Sequence, residues 1–343
     1  MHQENSMQAL LTKAQGYTKT ILQEIFLHDN THQAVIVYDM DSPLSSLLSQ
    51  AYRDNLPEAI FVDFHQKKPE EIRAIFDTLQ VEDLVILIQS TNFRLDAFRI
   101  RVELFKKKIK VLEHPHLGRM SEAETSHYID ALEYDKAYTR QTGRNLKAKI
   151  DASQYGVIYS GEEALHFPEG FESAKMNIGD YSQMPNTGGQ FPIGEVFTES
   201  KVLTALHGKA TICSFADTSY RVNIPSKPIT IVVEGGRVVD TIDSTPAFDE
   251  ILAHIREGEE GEVWVRELGF GLNKGLSKTK RLSDIGSYER MCGVHLSLGR
   301  KHGMYGKEGF KRGDGKFHID IFVDTKTVTF NDDIVFENEA WVV

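Results

Sequence analysis

Four short apolar runs rich in β-branched residues recur in the first third of the chain, at 34–38 (AVIVY), 59–64 (AIFVDF), 84–88 (LVILI) and 109–112 (IKVL). Runs of that length without polar alternation suit strands buried on both faces. The stretches between them, 45–52, 69–79 and 96–105, place apolar residues at helical spacing, such as Leu47, Leu48 and Ala51 in the first and Ile72, Ile75 and Phe76 in the second. A β-α-β-α-β-α-β order demands parallel strands and right-handed crossovers. The expectation is an α/β domain with a mostly parallel, flavodoxin-like sheet, crossed by a leading helix over 7–26. It carries no G-x-G-x-x-G and no Walker loop. Asp39 and Asp41, after the first run, read as cap or turn residues, and His114-Pro115-His116 as a loop.

Beyond residue 154 the texture changes. Ten short strand-like runs follow, from 156–159 to 334–336, with one clear helix at 247–257 and a Gly235-Gly236 hairpin turn. At about 150 residues per domain, 343 residues make two: an α/β scaffold or lid over 1–150 and an α+β, strand-rich, metal-binding domain over 151–343. The net charge of −11 argues against coating nucleic acid. No run approaches the roughly 18 apolar residues of a membrane span. With two cysteines, Cys213 and Cys292, and no secretory leader at its start, the chain reads as cytoplasmic.

Chemistry concentrates in the second half. In FHIDIFVD, His318 and Asp320 are two apart and share one strand face; such a pair is either hydrogen-bonded to itself or offered to a metal. His295 is the strongly polar residue of the apolar run GVHLSLG, and Glu267 lies within VWVRELGFG facing the interior, where an unpaired carboxylate costs several kcal/mol. Glu195, in FPIGEVFTES, is a further acid among apolar neighbours. Three carboxylates and two imidazoles suit two divalent ions such as Zn, Mn or Co, and Glu289 or Glu199 could act as general base.

The segments GEVFT, ELGFGLNKG, VHLSLG and HIDIF, in this order, resemble the metallo-aminopeptidases of the aminopeptidase T/aminopeptidase S type. That resemblance implies a homodimeric hydrolase that removes N-terminal residues from short peptides. It places Glu195, Glu267, His295, His318 and Asp320 on the family's ligand positions, with Glu267 bridging two ions. The family's catalytic tyrosine falls on His302, and the nearest tyrosine is Tyr305. Ring-opening dioxygenases of dihydroxypyridine catabolism resemble the same fold and use one Fe(II), for which His295, His318 and Asp320 would form a two-His, one-carboxylate triad.

Charge is unevenly distributed. Residues 270–316 hold eleven basic and four acidic side chains, a local +7 that leaves −18 for the remainder. Arg300, Lys301 and Arg312, between two ligand strands, are expected to draw an anionic small-molecule or peptide substrate.

Overall fold

The computed structural model describes residues 2–96, 99–307, 309–311 and 313–343, so Arg312 lies outside the described residues. The chain divides into two compact units. One comprises Met1–Lys136, Gly179–Ile193 and Lys280–Asp284; the other comprises Ala137–Ile178, Gly194–Thr279 and Ile285–Val343.

The first unit is built on a five-stranded parallel sheet. Across it run Ile60–Asp63, Ala34–Tyr38, Leu84–Ile88, Lys110–His114 and Gly188–Gln190. All five residues of Leu84–Ile88 are buried, as a central strand covered on both faces requires. Its core joins Val35, Val37, Val85, Leu87 and Val111 to Ile72 and Phe76 of the Pro69–Thr78 helix. The fifth strand returns from far along the chain, and its glycine is obligatory: at φ 115° a Cβ on Gly188 would lie 1.9 Å from the Val111 carbonyl oxygen. The leading helix, His2–Thr20, ends in a π turn over Ile21–Ile25.

Asp39 keeps the expected turn role, its Oδ1 accepting from the Asp41 N–H (3.2 Å), and it is also a buried anchor that accepts hydrogen bonds from the Ser90 backbone N–H (2.7 Å) and hydroxyl (2.5 Å), while Ser42 caps the Pro43–Asn55 helix. His114 closes a strand instead of lying in a loop. Its ring is fully buried, with Nδ1 2.8 Å from the Tyr128 hydroxyl and Nε2 2.8 Å from that of Tyr52. Tyr128 donates its own proton to the Phe191 carbonyl (3.0 Å), so its oxygen accepts from His114 Nδ1–H, and Nε2 accepts from Tyr52.

The second unit is built on a 14-stranded sheet. Four consecutive neighbours in it are Glu195–Glu199, Val265–Gly271, Gly293–Leu298 and Ile319–Val323, all paired antiparallel, and beyond the last lies His207–Ala216. Gly235-Gly236 closes the expected hairpin, and Pro246–Gly258 is the expected helix. No helix among the described residues is long and apolar enough to cross a membrane.

Burial lowers the His114 pKa to about 3. Above pH 6.5 the ring is neutral folded or unfolded; below it the unfolded chain takes a proton that the folded one refuses, costing about 1.4 kcal/mol per pH unit down to that value. Thermal melts at pH 7.5, 6.5, 5.5 and 4.5 should therefore fall more steeply for the parent than for His114→Gln, by up to one proton's worth of slope. Equal slopes would show that the ring protonates in the folded state.

Candidate metal centre

Sheet register assembles the site. Glu195 pairs with Gly271, His295 with Gly269, and Asp320 with Ser297. Directly opposed residues share a face, as do residues two apart along one strand. Glu195, Glu267, His295 and Asp320 thus project from four adjacent strands to one side. Between Val265 and Leu268 the register shifts, and there the Glu267 N–H donates to the Ser297 hydroxyl (2.9 Å). Gly269 leaves the space that the His295 ring fills: a Cβ on it would lie 2.0 Å from Cε1 and 2.1 Å from Nε2.

His295 Nε2 is 3.3 Å from Glu195 Oε1 and 3.7 Å from Glu267 Oε1; the other Glu267 oxygen is 3.4 Å from His302 Nε2. His318 precedes its strand by one residue and keeps the expected partnership, Nε2 to Asp320 Oδ1 at 3.1 Å. Its Nδ1 donates to the Lys301 carbonyl (3.1 Å), which leaves Nε2 as the ligating atom of the neutral ring.

Three ligand-type atoms, Glu195 Oε1, His295 Nε2 and Asp320 Oδ1, are buried with no hydrogen-bond partner among the described residues. Buried polar atoms are normally satisfied, so their convergence fits a cation. Glu195, Glu289 and His295 place ligand atoms within 4.8 Å of one another.

The electrostatics are those of a cluster waiting for positive charge. Burial works against charge on His295, yet Glu195 and Glu267 hold its pKa well above the ordinary value; His318 is pushed up to about 10, burial being outweighed by Asp320. Burial also opposes ionisation of Glu267, but the neighbouring imidazoles of His295, His318 and His302 bring it down to about 2. Burial raises Glu289 to about 8 against the pull of Arg290, with Glu195 and Asp320 adding to the rise.

Sequence reasoning missed two cations. Arg290 Nη1 lies 2.5 Å from Glu195 Oε2 and 2.7 Å from Glu289 Oε1. Arg266, fully buried, pairs with Glu199 and donates to the carbonyls of Arg300 (2.5 Å) and Tyr305 (3.3 Å). One Glu199 oxygen is thereby committed to a buried ion pair, while burial holds the carboxyl above the usual range. Arg266 sits between Val265 and Glu267 in VWVRELGFG; an arginine beside an acid in an otherwise apolar strand was the available signal.

The Tyr305 hydroxyl donates to the Ser173 carbonyl (2.7 Å), and burial pushes its pKa up. His302 is buried, and burial lowers it to about 4 despite the charge of Glu267. Much of the basic stretch is already paired with acids: Lys278 with Asp324, Lys280 with Asp130, Lys307 with Glu172, and Arg300 with Glu260 at 2.9 Å. Lys301 is exposed. Cys213 and Cys292 are half-buried, and their thiols donate to the carbonyls of Phe322 and Glu339 (3.6 Å each).

No family model matches the sequence, and no curated protein matches it. Solved structures that share its fold include two of different activity. The 2,5-dihydroxypyridine dioxygenase from Pseudomonas putida KT2440 is 12% identical, with a TM-score of 0.62 over 97% of each chain. AmpT from Thermus thermophilus is 12% identical, with a TM-score of 0.60 over 97% of this chain and 99% of its own.

Gly269→Ala should expel the His295 ring and abolish zinc uptake in titration calorimetry, while costing about 1–3 kcal/mol of stability as overpacking does. Combining it with His295→Ala should restore part of that stability, because the ring it strikes is gone. Full zinc binding by Gly269→Ala would refute the packing argument.

Proposed function

We propose that the protein is a metal-dependent hydrolase that cleaves the amide bond next to a free amino group in a short peptide or a related amide. The observation that carries this reading is the double approach to Glu267: one carboxylate oxygen faces His295, which Glu195 also approaches, and the other faces away to His302. A carboxylate addressed on both oxygens is placed to serve two ions. Glu195, Glu267 and His295 would hold one divalent ion and Glu267, His318 and Asp320 the other, with Zn, Mn or Co suited to such oxygen and nitrogen donors. Bound there, the ions would polarise a carbonyl and lower the pKa of a water molecule.

The chain's own residues do the rest. Glu289, held by Arg290 at the edge of the cluster, takes the proton of the attacking water and returns it to the leaving amine. Lys301 is left to meet an acidic substrate group. The likeness to AmpT supports an aminopeptidase-type reaction.

A single-iron, ring-cleaving oxygenase is the second reading. It is favoured by Arg290, which already neutralises Glu195 and Glu289 and leaves His295, His318 and Asp320 as a triad.

Aminoacyl amides and dipeptides should be hydrolysed after reconstitution with Zn, Mn or Co, and Glu289→Gln should lower kcat by about 10²–10⁴-fold at unchanged metal content. Silence across that panel, together with oxygen uptake on a dihydroxypyridine by the Fe(II)-loaded protein, would favour the second reading.

A further inference from the structure

We propose that the first unit binds a small organic dianion, a phosphate monoester or a dicarboxylate, in a cleft at the carboxyl ends of three parallel strands, with Arg94 and Arg99 as its counter-charges. The proposal goes beyond the hydrolase reading and uses none of its residues.

The strands that build the cleft are adjacent in the sheet. Leu84–Ile88 runs into Gln89, Glu113 lies at the end of Lys110–His114, and Gln190 ends Gly188–Gln190 and pairs directly with Glu113. Open α/β sheets take their ligands outside the carboxyl ends of their strands. Here that edge bounds a cleft of about 280 Å³. The volume falls just under the roughly 300–1,000 Å³ of sites for drug-sized ligands, so a molecule of a few carbons fits and a dinucleotide does not.

Charge decides what the molecule is. Five charged side chains line the cleft: Arg94, Arg99, Arg101, Asp96 and Glu113. Both acids already have cations. Glu113 accepts from Arg101 Nη1 (2.6 Å) and from Gln89 Nε2 (3.3 Å), and Asp96 accepts from Arg73 Nη2 (3.2 Å). Arg94 and Arg99 have no ion-pair or side-chain hydrogen-bond partner among the described residues. A surface arginine without a partner is ordinary. Two of them lining one concavity whose acids are neutralised leave two positive charges there, in a chain of net charge −11. A concave surface focuses that field on whatever enters, and the planar guanidinium fork matches the oxygens of a phosphate or carboxylate group.

The rest of the lining suits an organic body. Phe93 and Ile100 back the cleft from the core, and the half-buried Gln190 adds a neutral side-chain amide. Phe93 stacks on Phe64 with centroids 4.0 Å apart, and its N–H donates to Gln89 Oε1 (2.8 Å), which fixes the turn that carries Arg94. A site arranged before its ligand arrives loses less freedom on binding.

Titration calorimetry of the full chain at low ionic strength tests this with glycerol 3-phosphate and succinate, which distinguish the two headgroups, and with glycerate, which carries one charge. One site per chain is expected for at least one of the two dianions. Its affinity should exceed that for glycerate about tenfold and fall as salt is raised to about 0.15 M. Arg94→Gln and Arg99→Gln should each weaken binding about tenfold, the worth of one hydrogen bond to a charged group. Lys106→Gln, which removes the same charge from the far end of the Ile100–Lys106 helix, should not. Both arginines are exposed, so the unliganded variants should melt with the parent and take up equal metal. A Kd weaker than about 1 mM for both dianions, glycerate bound as tightly as either, or an Arg94→Gln, Arg99→Gln double variant that binds as the parent does would each overturn the proposal.

Discussion

Four carboxylates, Glu195, Glu267, Glu289 and Asp320, meet in the interior of one antiparallel sheet with Arg290 as the fixed cation between two of them. Removing such charge from water costs several kcal/mol per ion unless opposite charge is supplied. Without metal, the compensation comes from proton binding: His295 and His318 hold protons far more tightly than free imidazole, and Glu289 resists ionising. Metal binding replaces protons with ions at such sites.

The sheet makes this tolerable because the ligands come from four neighbouring strands whose register is set by many hydrogen bonds away from the site. Cross-strand pairing gives each side chain a direction, and Gly269 gives the His295 ring its room. Around that face, main-chain atoms orient two rings in opposite senses. The Lys301 carbonyl takes the Nδ1 proton of His318 and frees its Nε2 as a ligand, whereas the Met304 N–H occupies Nδ1 of His302 and leaves its Nε2 protonated. Two imidazoles in one cluster thereby differ in chemical role through a single backbone contact each.

Much of this was legible in the chain. Period-two spacing put His318 and Asp320 together, and isolated polar residues in apolar runs marked Glu195, Glu267 and His295. The parallel sheet followed from alternating strand and helix patterns. What stayed hidden depended on contacts between distant segments. Glu199 looked as available as Glu289 until Arg266 was seen against it, and Tyr305 until its hydroxyl was seen on Ser173. The basic stretch looked like a charged mouth because its neutralising acids, Asp130, Glu172, Glu260 and Asp324, lie elsewhere in sequence. His114 looked like a loop residue because its tyrosine partners sit 62 and 14 positions away. Charge counted along a sequence is not charge presented to solvent.

If Glu267 serves two ions at once, as proposed, anomalous diffraction at the zinc edge from crystals grown with excess zinc should show two peaks per chain sharing the Glu267 carboxylate, one against Glu195 and His295 and the other against His318 and Asp320. A single peak enclosed by His295, His318 and Asp320, with Arg290 still bound to Glu195, would contradict it.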